Sequence, residues 1–301
     1  MAFKFNSIVL LLSSLITGGG AWLGYELCKP KIVEDLMSWK GLKLATSEDT
    51  NFWKALYFQN KEQLDKNITD HETLKQKCAK LSREKIDYVT KNAEFVEKFC
   101  LNNLKNRRAR IIAIGFDENQ FLKEDKDYKI AFIFNRYSPT FLELLGGGIT
   151  KETEFDTENS SNILEKYKNY CNTALDSDDS QIKATQQLCS KQPYTKAKDK
   201  IEKDGYVLRD SKELREDWSK YQNNAKSDKY MEGNTLLVDI QDIESDKGEN
   251  AWIDLQNSQD EFEKRFFAWC NEQKDKDLDE KDFYKDVYPK FKTRCAKQRI
   301  Q

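Results

Sequence analysis

Ile201-Glu202-Lys203-Asp204-Gly205-Tyr206 places an apolar residue four positions before a glycine and another directly after it. The same arrangement stands at Met37-Ser38-Trp39-Lys40-Gly41-Leu42 and at Ile111-Ile112-Ala113-Ile114-Gly115-Phe116. A helix that ends at a left-handed glycine, with the next apolar side chain folding back onto it, needs this pattern, because glycine alone takes that backbone without steric cost. Three short helices ending at Gly41, Gly115 and Gly205 are therefore expected.

Each glycine opens a longer unit. An aromatic residue follows after 12, 13 and 13 positions (Trp53, Tyr128, Trp218), and then come two cysteines: Cys78 and Cys100, Cys171 and Cys189, Cys270 and Cys295. Recurrence of this kind marks a repeat architecture. With only 12 Gly and 4 Pro, a composition that favours helices, the expected fold is mainly α, with segment boundaries at 1–28, 29–105, 106–195 and 196–301, although a two-unit reading with a divergent middle fits as well. In the third unit Ser211 is placed to cap a helix carrying Leu214 and Trp218. Phe262, Phe266, Trp269 and Cys270 fall on one helix face, as do Ile163, Tyr167, Tyr170 and Cys171. In the first unit the matching element, Val96 and Phe99, stands instead before Cys100, which suggests a reversed order there. Runs rich in Ile and Phe at 110–116 and 129–134, with a similar one at 235–240, leave room for a few short strands, chiefly in the middle unit. Gly146-Gly147-Gly148 reads as a loop and Gln192-Pro193 as a linker.

The 301 residues carry 50 Lys and Arg against 52 Asp and Glu, a net charge of −2 with both signs mixed along the chain. That balance argues against a nucleic-acid protein, which needs a basic face. Seventeen Phe, 13 Tyr and 6 Trp supply the apolar bulk for folded units despite a 34% charged fraction. Residues 7–27 carry one charge, Glu26, and are long enough to cross a bilayer as a helix. The same stretch also satisfies a cleaved signal peptide with small residues at Gly19 and Ala21. A lipoprotein reading at Cys28 meets the obstacle of Leu27 before it, where a small residue is needed.

The six later cysteines lie in pairs separated by 22, 18 and 25 residues, as one disulfide per unit would place them in an oxidising space. Reduced core cysteines are the alternative. Disulfides place the segment from residue 29 onward outside the cell, on a single-pass anchor or as a secreted chain.

Chemistry has few footholds. The single histidine, His71, stands in a polar stretch, so neither a His-based triad nor a His-rich metal site is expected. No phosphate-binding glycine motif is present, and no cofactor is expected. Asp275, Asp277 and Asp279 alternate as in a calcium loop, but the required glycine is replaced by Glu280. No catalytic residue stands out, and the chain is expected not to be an enzyme. A carboxylate-dependent hydrolase and a structural envelope component are the alternatives.

Lys31-Ile32-Val33-Glu34-Asp35-Leu36, Gly41 followed by Leu-Lys-Leu, Trp53 and Trp269-Cys270, together with the pattern from Ala197 to Leu208 and Trp218, resemble the paralogous uncharacterised surface-type protein families of haemotropic mycoplasmas. The likeness covers residues 31–100 and 197–295. It implies an exported protein on a wall-less parasite of red cells, with a host-interaction or antigenic role, a host cell-surface protein as the expected partner and no catalytic residues to carry over. The use of 40 Lys to 10 Arg fits an AT-rich genome.

Overall fold

The computed structural model describes residues 29–46, 48–86, 91–153, 160–178, 181–219, 235–241, 255 and 257–299. Residues 7–27, the expected anchor or signal segment, lie outside the described residues. Among the described residues no helix is long and apolar enough to cross a membrane.

The fold is mainly helical. The first repeat contains α1 (Val33–Trp39), α2 (Thr50–Asn60), α3 (His71–Ser82) and α4 (Lys91–Phe99). The second contains α5 (Arg107–Ala113), α6 (Asp125–Asn135), α7 (Pro139–Leu145), α8 (Ser160–Asp176) and α9 (Ile182–Leu188). The third contains α10 (Ala197–Lys203), β1 (Tyr206–Leu208), α11 (Ser211–Arg215), α12 (Thr235–Gln241) and α13 (Gln259–Lys274). A π-helical turn (Phe283–Val287), α14 (Tyr288–Cys295) and β2 (Ala296–Gln298) complete it.

Each repeat opens with a seven-residue helix, α1, α5 or α10, that stops where the glycine pattern predicts. Gly41, Gly115 and Gly205 have φ of 74°, 97° and 83°. In the first repeat the Gly41 amide donates to Ser38 O and the Leu42 amide to Met37 O, at 2.9 and 2.8 Å. In the second the Gly115 amide donates to Ile112 O and Phe116 to Ile111 O, at 2.9 and 3.3 Å. This pair of bonds closes a helix end by satisfying two carbonyls that have no partner within the helix. The third repeat keeps the first bond, from Gly205 to Glu202 O at 3.1 Å, and its chain then leaves as β1. The apolar residue four positions before each glycine, Met37, Ile111 or Ile201, is fully buried.

Two further ties recur at fixed offsets from the cysteines. The first residue of each opening helix, Val33, Arg107 or Ala197, donates its amide to the carbonyl six residues past the first cysteine: Glu84, Ser177 and Lys276, at 3.0, 2.8 and 3.0 Å. The chain beyond each glycine runs antiparallel to the residue after the second cysteine, pairing Leu44 with Leu101, Phe121 with Ser190 and Leu208 with Ala296. Ala45, Leu122 and Arg209 donate to the carbonyls of Cys100, Cys189 and Cys295, at 2.8, 3.0 and 2.8 Å.

These ties correct the order expected for the first repeat. Cys78, on α3, occupies the place of Cys171 on α8 and Cys270 on α13, so nothing is reversed. Four residues before those cysteines stand Leu74, Tyr167 and Phe266, all fully buried, and three residues after them Leu81, Ala174 and Gln273, also buried. A leucine fills the position that an aromatic ring fills elsewhere, and matching by aromatic identity hid the correspondence. The cap expected at Ser211 is Asp210, with Ser211 the first helical residue, and the anchor register changes as well. Counted four residues from the N-cap positions Asp49, Glu124 and Asp210, the buried side chains are Trp53, Tyr128 and Leu214, whereas Trp218 stands one turn further on and is only partly buried against Phe262, with ring centroids 5.3 Å apart.

The runs considered as strands are helices. Residues 110–116 begin inside α5, where the Asn106 side chain accepts the Ala109 amide at 2.9 Å. Residues 129–134 lie in α6 and 235–240 in α12. Ile130, Ala131, Phe132 and Ile133 are all buried, and a helix buried on successive positions shows no amphipathic period to distinguish it from a strand. Among the described residues, strand pairing is confined to β1 with β2 and to isolated bridges.

The chain divides into two compact units: one runs through Glu118 and includes Asp176–Ile182, and the other comprises Asn119–Leu175 and the chain from Lys183 onward. In the first, α5 packs on α2, and Val33, Met37, Trp53, Leu56, Leu74, Val96 and Phe99 share a core with Cys78 and Cys100. The second has its main core around Ile201, Leu214, Leu236, Phe262, Phe266, Trp269 and Phe291. Within the same unit Tyr167 meets Tyr128 and Phe141 edge-on, at 5.3 and 5.0 Å, and its hydroxyl donates to Leu188 O at 2.6 Å.

Candidate functional site

The six cysteines singled out from their spacing form three disulfides: Cys78–Cys100, Cys171–Cys189 and Cys270–Cys295, with Cα atoms 5.6, 5.5 and 5.7 Å apart. All six are buried. Each joins the first-cysteine helix to the end of the last helix of its repeat, beside the antiparallel tie described above. The staples are structural, since a buried disulfide offers no accessible sulfur for exchange.

The other residues considered from the sequence find ordinary partners. His71 opens α3, half-buried, with its Nε2 3.6 Å from Glu72. The alternating aspartates do not converge: Asp275 pairs with Lys198 at 3.3 Å and Asp277 with Lys196 at 2.9 Å, which fastens the start of α10. Gly146 and Gly148 have positive φ in the expected loop, and the Gly147 carbonyl accepts from Lys166 at 3.1 Å.

A cavity of about 730 Å³ in the second unit brings together side chains that the sequence did not single out. It is built around Asp204, the residue just past the end of α10. A carboxylate at that end of a helix faces the negative pole of the backbone dipole, so it needs compensation from elsewhere. Lys200, nearly buried one turn back, supplies a hydrogen-bonded ion pair. Lys292 of α14 donates at 3.1 Å and the Tyr288 hydroxyl at 3.3 Å. Burial would raise the Asp204 carboxyl, but the bonds and charges of Lys200 and then Lys292 outweigh it and hold the group below its ordinary value.

Tyrosines line the cavity. Tyr284 and Tyr288 stack at 5.0 Å with planes 17° apart, one at each side of the junction between the π-helical turn and α14. Asp282, at φ 58°, introduces that turn from a left-handed backbone that few residues other than glycine adopt. Arg136, at the end of α6 and 2% exposed, sets its guanidinium 5.2 Å from the Tyr284 ring and donates to the carbonyls of Lys151 and Thr153 at 2.5 and 2.8 Å. Lys292 lies over the Tyr206 ring at 4.4 Å. Burial, with Tyr137 as a bonding neighbour, pushes the Tyr284 hydroxyl up. Burial, with Asp204 beside it, does the same to Tyr288, so both stay protonated donors.

The cavity also takes in Tyr137, Lys151, Glu152, Lys285 and Pro289. Its charged lining, Arg136, Lys151, Lys285 and Lys292 against Glu152 and Asp204, has a formal excess of positive charge. Two features of the sequence could have found it: the tyrosines at i, i+4, and an aspartate at the position where Lys40 and Ile114 precede the other two glycines. The first unit holds a smaller cavity of about 290 Å³ beside the Cys78–Cys100 bridge.

Fold and site together define a class, a mainly helical protein with three local disulfides and a tyrosine-lined, polar cavity. No family model matches the chain, and neither a curated protein nor a solved structure does.

Proposed function

We propose that the chain is exported, that residues 7–27 hold it at a membrane, and that its repeats act outside the cell as a binding surface towards host cells, without catalysis. The observation that carries this reading is the disulfide in every repeat. Such bridges persist in oxidising compartments and are reduced in the cytosol, and small repeats with thin cores gain most from them. Each closes a loop of 18 to 25 residues, worth about 3 kcal/mol of chain entropy. The apolar length of residues 7–27 supports a membrane attachment, and the resemblance to surface-type families supports the host-facing role.

Protease added to intact cells tests the address. The repeats should be cut there as they are in lysates, and the full-length chain should stay with membranes in alkaline carbonate. Protection on intact cells together with free thiols at the six cysteines would overturn the proposal.

A further inference from the structure

We propose that the cavity around Asp204 and the Tyr284–Tyr288 stack binds a small hydroxylated ring bearing an anionic group, a sugar carboxylate or sugar phosphate. This goes beyond the proposed address and does not depend on it.

The volume, about 730 Å³, falls in the range of small-molecule sites. The lining is mixed in a specific way. Its excess of cations favours an anion. Lys285, exposed at its edge, makes no ion pair among the described residues and is placed to meet one. A site for bare phosphate would gain nothing from Glu152 and Asp204, whose carboxylates repel an anion. Those carboxylates and the lining tyrosine hydroxyls other than Tyr288, whose proton goes to Asp204, are the acceptors and donors that ring hydroxyls use. Stacking of a planar base is poorly served, because Tyr206 is already faced by Lys292 and Tyr284 by Tyr288.

The backbone is built for the site as well. A π-helical turn entered from a left-handed aspartate is a costly local arrangement, and such turns occur often where side chains must be aimed at a ligand. Here the turn sets the two tyrosines in register. Arg136 and Lys292 are already held by other bonds, so they are ordered before a ligand arrives, which lowers the entropic cost of binding.

The test is calorimetric titration of the purified full-length chain in detergent with glucuronate and with glucose 6-phosphate, beside glucose and inorganic phosphate. At least one anionic sugar should bind about tenfold more tightly than either control, and which one does so identifies the anionic group. Lys285→Ala, an exposed change that leaves the core intact, should weaken that binding about fivefold or more, whereas Lys281→Ala, exposed and outside the lining, should not. Binding of neither sugar above phosphate, or equal losses in the two variants, would overturn the proposal. The titration uses purified protein, so its failure would leave the membrane address standing.

Discussion

Lys292 donates to Asp204 across 88 residues of chain, at 3.1 Å, and so fastens the last helix of the third repeat to the end of its first. Lys200 reaches the same carboxylate from inside the unit, with its side chain only 5% exposed. Replacing Asp204 with Ala leaves that ammonium buried without its counter-charge, and removing one partner of a buried pair costs about 3 kcal/mol or more. Chemical denaturation of Asp204→Ala should show this loss. Asp204→Ala combined with Lys200→Met should recover part of it.

The same carboxylate sets a pH dependence. Its folded pKa lies below the ordinary 3.8, so its contribution to stability is fully present above that value and is lost as pH falls through the lower, folded value. Melting temperature should therefore fall more steeply below about pH 4 in the native chain than in Asp204→Asn. Equal slopes would show that the Lys200 and Lys292 bonds do not favour the ionised form.

The three stopping glycines act through backbone conformation rather than space. A Cβ built at Gly41 or Gly205 meets nothing within 4 Å, yet both hold a positive φ. Alanine at either position should cost about 1 to 2 kcal/mol. Gly147→Ala, equally open and without positive φ, should be neutral within about 0.5 kcal/mol. Thermal melts of the three single variants decide whether the helix stops are conformational.

Loss of one staple should weaken its own unit. Cys78→Ala with Cys100→Ala removes a bridge across 22 residues and should lower stability by about 3 kcal/mol. Peptide mapping without reductant should recover the three local pairs and no crosslink between repeats.

The corrected anchor register predicts which apolar deletions hurt. Trp53→Ala should cost about 3 to 5 kcal/mol and Leu214→Ala about 2 to 5, since both are buried four residues from a helix cap. Trp218→Ala, partly exposed, should cost less than Trp53→Ala. Equal losses at the two tryptophans would restore Trp218 as the counterpart of Trp53.

Where helices stop was legible in the residues alone, because a glycine stop is closed by bonds spanning six residues, and the positive φ it requires is a property of that one position. The cysteine pairs were suggested by spacing for the same reason: each loop closes within its own repeat. The mainly helical class followed from composition and the scarcity of glycine and proline.

Tertiary structure decided the rest. Ile130–Ile133 could have been strand or helix, and burial on all sides removed the period that would have distinguished them. The match of Leu74 to Tyr167 and Phe266 rests on packing and on the carbonyl six residues past each cysteine, and neither depends on side-chain identity. The cavity draws Arg136, Asp204, Tyr284 and Lys292 from segments more than 60 residues apart at its widest gaps. A local pattern records what a residue needs from its own helix or turn, as Lys200 does four residues before Asp204; the second cation at that carboxylate, Lys292, comes from helix packing, and packing leaves no periodic trace along the chain.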